Sequence, residues 1–364
     1  MSCLIGSSYT IQPGDTLFNI AQQKLSDGNR WREIKKSDGS PMTDSDASNL
    51  QVGQEICLPN GAVSPTPTPD TGGWQLQDSW IGNQFINGNE KGDKWSFFCE
   101  GDPTHGYVEY GKWDELINIV DGNKIKIDVE SDSYNPEEKR QRKAIRIYTD
   151  KKYNGGLFII DLDHIPEGMA VWPAIWLVGT GATWPENGEI DIIEGVNSTP
   201  SANNRNQSTL HTRKGCVQNI SNILNPDCNA GNAFTGCGII GPENSFGHGF
   251  NSNGGGAYAC EWLYDQTIKI WFWKRADIPG NVLGDSPDPN TWGTPYASFN
   301  PCPGYFKDME MVINTTLCGD WAGNVFPGGL EKCGGYLWDT KNNPKLRDAY
   351  FLIRSVRIFS QKPT

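Results

Sequence analysis

Gly188-Glu189-Ile190-Asp191-Ile192-Ile193-Glu194-Gly195 decides how the chain must fold, because it sets three carboxylates among isoleucines in a run bounded by glycine. Isoleucine favours strands, and a short apolar run between glycines reads as a buried one. Carboxylates buried without partners are costly, so three of them in such a strand point to chemistry rather than packing. Side chains in a strand alternate, so Glu189 and Asp191 share a face while Glu194, five residues after Glu189, falls on the other. A β-bulge between Asp191 and Glu194, most simply at Ile192-Ile193, returns Glu194 to the face of Glu189 with Asp191 between them. The alternative, an acidic edge strand turned to solvent, conflicts with Ile190, Ile192 and Ile193.

On one face, the two glutamate backbones lie on the order of 13 Å apart at about 3.3 Å per residue. Inward-leaning side chains narrow that gap. A retaining glycosidase needs two carboxyls about 5–5.5 Å apart, one to attack the anomeric carbon and one to protonate the departing oxygen and then activate water. Crowding raises the proton affinity of the acid. Three indoles precede the acids, in Val171-Trp172-Pro173-Ala174-Ile175-Trp176-Leu177 and Trp184-Pro185. A pyranose stacks its C–H face on an indole, although core packing claims tryptophans as well.

These motifs resemble glycoside hydrolase family 16, and within it the fungal endo-1,3(4)-β-glucanases. Asp102-Pro103-Thr104-His105-Gly106, Tyr153-Asn154-Gly155-Gly156-Leu157-Phe158, Ser208-Thr209-Leu210-His211-Thr212 and Cys318-Gly319-Asp320-Trp321-Ala322-Gly323 follow in family order, so the likeness covers nearly everything after residue 74. The resemblance implies a mainly β fold, a concanavalin-like β-jelly roll sandwich. It implies Glu189 as nucleophile, Glu194 as acid/base, Asp191 as the residue that orients the nucleophile, and retention of configuration. It also implies that Trp176, Trp184, His211 and Trp321 bind substrate. Branches of the family with one residue fewer between the second and third acids align them by alternation alone. The longer, bulged form favours a laminarinase-like enzyme over a transglycosylase, although both sugar and water can take up a glycosyl-enzyme.

In Thr209-Leu210-His211-Thr212, a strand sends Leu210 to the core and His211 to the cleft. His105, His164 and His248 read as structural or surface groups. Neither zinc-spaced His and Cys nor a calcium-loop run of oxygen ligands occurs, so catalysis is expected to need no metal or cofactor. Trp271 and Trp273 share a face of one alternating strand, which either core or cleft could receive.

Residues 1–60 form a different pattern. Tyr9-Thr10-Ile11-Gln12-Pro13-Gly14-Asp15-Thr16-Leu17-Phe18-Asn19-Ile20-Ala21-Gln22 reads as a strand, a turn at Pro13-Gly14, and a helix capped by Asp15 or Thr16 with Leu17, Ile20 and Ala21 on one face. A second short helix is expected around Trp31 to Lys36, then a closing strand near Leu50-Gln51-Val52-Gly53-Gln54-Glu55-Ile56-Cys57-Leu58. This resembles the LysM module, a small α+β (βααβ) unit. That implies binding of chitin or another N-acetylglucosamine polymer through Gly14, Asp15, Thr16 and Leu17 and the loop around Asp38 to Asp46. That second loop is more acidic than the module's usual Asn-Pro form. So small a module buries little core, and a Cys3–Cys57 bridge could tie its ends.

Residues 61–73 alternate Pro with Thr or Ser and end in Gly72-Gly73, an extended exposed linker before a catalytic domain at 74–364. The formal charge of −12 argues against nucleic acid and suits a neutral glycan. Ten cysteines and the sequons at Asn197, Asn206, Asn219 and Asn314 fit secretion, with Asn314 in a strand-like run. With no leader-like or membrane-spanning run, the chain reads as the mature form of a secreted monomer. The Cys- and Gly-rich stretch from Cys216 to Cys260 could either line the cleft or brace it.

Overall fold

A computed structural model describes residues 7–11, 15–25, 28–59, 73–131, 137, 139–231 and 235–362. The chain divides into two compact units, Met1–Thr71 and Gly72–Thr364. Among the described residues, no helix is long and apolar enough to cross a membrane.

In the first unit, strand Glu55–Leu58 lies between Ser7–Thr10 and Lys35–Lys36, both antiparallel to it. Helix Leu17–Leu25 buries Leu17, Ile20 and Ala21 against Ile34, Ile56 and Leu58, the face that its 3.6-residue spacing requires. The helix expected at Trp31 to Lys36 does not form there. The chain instead makes a 3-10 turn at Gly28–Glu33 and enters a strand at Lys35, and the second α-helix is Asp44–Ser48. Thr43 starts that helix with a capping box. The Asp46 amide donates to Thr43 Oγ1 at 3.2 Å and the Thr43 amide donates to Asp46 Oδ2 at 2.8 Å. Asp44 and Asp46 in its first turn favour the helix N-terminus, so the acidic stretch read as a loop is partly helical. Cys57 is disulfide-bonded, while Cys3 and the proposed linker, apart from Gly73, lie outside the described residues.

The second unit is a sandwich of two antiparallel sheets. One has the order Cys237–Ile240, Gln207–His211, Glu189–Glu194, Val171–Gly179, Met309–Leu317, Arg146–Thr149, Trp95–Phe97. The other runs Ala297–Phe299, Ile268–Lys274, Gly256–Trp262, Gly156–His164, Phe351–Gln361, Lys124–Ile127, Ile117–Val120, with Trp74–Trp80 also paired to Phe351–Gln361. Alternating side chains of the two sheets meet in one core, Ile175, Leu177, Ile190, Leu210 and Ile313 from the first and Phe158, Ile160, Tyr258, Ile270 and Val356 from the second. The outer face of the first sheet is left free for a site.

Trp271 and Trp273 enter neither that core nor the free face. Both pack edge-on against Trp292, in a separate cluster with Leu157, Ile159 and Phe359 on the outer side of the second sheet. The Cys216 to Cys260 stretch both braces and lines. Its disulfides Cys216–Cys302 and Cys228–Cys237 are buried, and Cys237–Ile240 is the edge strand of the first sheet. Three of the four sequons are closed to modification. Asn197, Asn206 and Asn314 are buried, with both ends of each side-chain amide hydrogen-bonded, and Asn219 is exposed.

Candidate active site

Strand Glu189–Glu194 pairs with Val171–Gly179 through one irregularity. Glu189 lies opposite Val178 and Asp191 opposite Trp176, after which the register jumps so that Ile193 faces Ile175 and Glu194 faces Ala174. Ile192 is the extra residue of a β-bulge. It joins Ile190 and Ile193 in the core, and the three acids are left on the outer face. Their partners Ala174, Trp176 and Val178 alternate on an unbulged strand, so the two glutamate backbones stand about 13 Å apart.

A bulge leaves backbone groups without ladder partners. Here a neighbouring side chain supplies them. Pairing with Gln207–His211 stops at Asp191 opposite Thr209. Beyond it, Asn206 Oδ1 accepts the Glu194 amide at 2.9 Å, and the Ile192 carbonyl accepts both Asn206 Nδ2 and Ser208 Oγ at 2.8 Å. Sequence reading took Asn206 as a sequon and missed this role. The signal that could have revealed it is its position just before the strand that must pair with the bulged one.

Two indoles reach the glutamates. Trp184 Nε1 donates to Glu189 Oε2 and Trp172 Nε1 donates to Glu194 Oε1, both at 2.8 Å. Trp172 was not among the residues picked from sequence as cleft-lining, although its parity with Ala174 and Trp176 puts it on the acidic face. Trp321 stands edge-on to Trp172 at 5.8 Å, and Trp176 donates to Asn314 Oδ1 at 2.7 Å with the Arg146 guanidinium 5.0 Å from its ring. His211 lies opposite Glu189, its neighbour Leu210 in the core, as alternation requires. His211 Nε2 is 3.2 Å from Asp191 Oδ2 and 3.9 Å from Glu189 Oε1. The 3.2 Å approach is out of line for a hydrogen bond, and Asp191 Oδ2 is buried with no hydrogen-bond partner.

Trp176, Trp184, His211 and Trp321 thus converge on the acids. A depression of about 400 Å³ opens beside Glu194, lined by Gly195, Val196, Asn203, Asn204, Arg205 and Trp321 among others. The other histidines serve elsewhere, His105 against Asp320, His164 on the Tyr350 carbonyl and His248 against Glu167. In the first unit, Asp15 accepts the Tyr9 hydroxyl at 2.8 Å and Thr16 is exposed. Leu17 is buried in the core, so only its backbone could meet a ligand, and Gly14 lies outside the described residues.

Burial dominates the acids' electrostatics. It pushes Glu189 up to about 8, helped by the Asp191 charge and opposed by His211, the Trp184 N–H and Arg146. Asp191 is pushed up to about 8 by burial against a hydrogen bond with Glu189, and Glu194 is raised well above the usual range by burial and then by Asp191.

A family profile described as "XgeA-like, catalytic GH16 domain" matches residues 95–359. The chain belongs to glycoside hydrolase family 16. Residues 9–59 match the LysM domain profile, and the N-terminal unit is a LysM domain. A probable endo-1,3(4)-β-glucanase of Aspergillus fumigatus is 35% identical over 310 residues, 79% of this chain and 45% of that protein. The chain therefore spans about half the length of that relative. Among solved structures, an elongating family 16 β-1,3-glucosyltransferase matches with a TM-score of 0.71 at 31% identity, covering 79% of this chain and 100% of that one. Laminarinase 16A from Phanerochaete chrysosporium, holding 6-O-glucosyl-laminaritriose in its donor and acceptor sites, matches at 0.68 and 31%, covering 79% and 99%.

Two predictions follow from this geometry. Between about pH 4 and 8 the folded state holds protons on Glu189 and Asp191 that the unfolded chain has released, so these groups make stability fall as pH rises. Thermal unfolding in EDTA buffer should show Glu189→Gln and Asp191→Asn gaining Tm over the parent at pH 8 and not at pH 4; an equal offset at both would refute the shifts. Asn206→Ala should cost about 1–3 kcal/mol by leaving the Ile192 and Glu194 backbone groups unpaired in the interior. An unchanged denaturation midpoint would show that the bulge does not need its clamp.

Proposed function

We propose that the protein is a secreted, monomeric endo-β-1,3(4)-glucanase that hydrolyses β-1,3- and mixed-linkage glucans with retention of configuration. The alignment of Glu189, Asp191 and Glu194 on one face, with an indole N–H donated to each glutamate, carries the reading. In the first step the Glu189 carboxylate forms a bond to the anomeric carbon while Glu194 gives its proton to the departing glycosidic oxygen. Glu194, now ionised, takes a proton from water, whose oxygen attacks the same carbon and frees Glu189. Asp191, on the same face between the two glutamates, orients the nucleophile. The indoles of Trp176, Trp184 and Trp321, with His211, bind the sugars on either side of the scissile bond.

A second reading has support from the glucosyltransferase neighbour, since a glucan hydroxyl in place of water at the second step makes the same site a transglycosylase. The LysM domain tethers the catalytic unit to chitin or a related N-acetylglucosamine polymer across the Pro- and Thr-rich linker, which raises local substrate concentration without adding chemistry.

Laminarin, lichenan and curdlan digests followed by proton NMR should give the β-anomer first, with turnover lost in Glu189→Gln. In Glu194→Gln it should fall about 10²–10⁴-fold. An α-anomer first product, or parental turnover in Glu189→Gln, would sink the mechanism, and longer glucans appearing before short ones would favour transfer. The chain should also sediment with chitin and be released by soluble chitin oligomers; equal recovery without chitin would remove the tether.

A further inference from the structure

Asp191 Oδ2 has no hydrogen-bond donor, yet it belongs to a residue only 2% exposed. A buried carboxylate oxygen without a donor is rare enough to require an explanation. His211 Nε2 stands 3.2 Å from it, and that nitrogen is 3.9 Å from Glu189 Oε1. One donor atom each from Glu189, Asp191 and His211 lies within 4.8 Å of the others. Zinc binds imidazole nitrogen and carboxylate oxygen at about 2.0–2.2 Å, which on a tetrahedral ion puts two donors roughly 3.3–3.6 Å apart. The two separations from His211 Nε2, 3.2 and 3.9 Å, lie on either side of that value, and the Glu189 and Asp191 donors are within 4.8 Å of each other.

We propose that Glu189, Asp191 and His211 form a binding site for one divalent transition ion of the Zn²⁺ or Cu²⁺ class, occupied in competition with substrate. The donor set selects the ion. One imidazole and two carboxylates suit zinc and copper, whereas calcium takes six to eight oxygens and magnesium keeps an octahedral shell of oxygens. The imidazole is held in place from behind, because Gly236 packs so closely that a Cβ there would stand 2.8 Å from His211 Nδ1. His211 Nδ1 is likewise buried without a hydrogen-bond partner, and a metal ion takes the lone pair of a neutral imidazole nitrogen. The ion compensates the charges of two carboxylates that share one buried face. Glu194 stays outside the set, tied to Trp172.

Binding stands on this geometry alone, while inhibition of turnover rests on the proposed glucanase activity. The two are therefore read separately. The full chain, stripped with EDTA and desalted, is titrated with ZnCl₂ in a calorimeter, and its Cu²⁺ complex is examined by electron paramagnetic resonance. The expected result is one tight ion per chain with coupling to one nitrogen, weakened about tenfold or more in His211→Gln and in Glu189→Gln. Glu194→Gln should bind like the parent, and laminarin oligosaccharides should displace the ion. Parental affinity in both ligand variants would place the ion elsewhere, and the absence of a stoichiometric site would refute the proposal. If His211→Gln fails to melt cooperatively, Glu189→Gln decides the matter. Saturating Zn²⁺ that leaves glucan hydrolysis untouched would remove the competition, whereas a metal-free chain inactive on every glucan would remove the glucanase reading and leave the binding site standing.

Discussion

One inserted residue governs this active face. Ile192 has no partner across the sheet, and its presence turns Glu194 to the side of Glu189 and Asp191. The cost of a bulge is an orphaned carbonyl and amide. Asn206 and Ser208 satisfy both, and Asn206 is in turn held by Ser245 Oγ, which accepts its amide at 2.9 Å, and by the Tyr296 hydroxyl at 3.0 Å from Nδ2. The bulge is thus held in place by a buried polar network that begins where the ladder to the next strand ends. A satisfied network of this kind fixes one arrangement, because any slip leaves several buried groups unpaired together.

The same alignment creates an electrostatic conflict. Three carboxyls on one buried face repel each other and lose hydration, so the fold raises their proton affinity and gives up stability as the pH climbs. Such a loss persists where function requires it and the rest of the sandwich compensates. The compensation is visible in the core, where the apolar faces of two large antiparallel sheets are sealed from water.

Much of this was legible in the sequence, for identifiable reasons. Alternation with a fixed parity conflict at Glu194 demanded a bulge, and only the Ile192-Ile193 pair could host it without moving an acid. His211 followed from the same parity rule through Leu210. Parity cannot choose between the two sheets of a sandwich, which is why Trp271 and Trp273 stayed ambiguous until Trp292 was seen to cover them. Near Trp31 the chain makes only a 3-10 turn, and the second α-helix begins thirteen residues later, at Asp44, behind the Thr43 and Asp46 capping box. Contacts made by residues distant in sequence left no periodic trace, and the Asn206 clamp is one of them.

Indoles suit their place beside the acids for a reason that a lysine or arginine could not meet. A cation at 2.8 Å would lower the affinity of Glu194 for the proton it must deliver, and would tie Glu189 into an ion pair that weakens it as a nucleophile. An amide side chain would bring an acceptor as well as a donor and could be satisfied in a flipped orientation. An indole N–H donates only, carries no charge, and sits on a rigid ring with few torsions to order. Trp184 and Trp172 therefore fix the two carboxyls in position and offset only part of the rise that burial and Asp191 impose. The Trp184 ring remains available to the cleft, being 37% exposed, so one residue both aims the carboxyl and offers a stacking surface to a sugar.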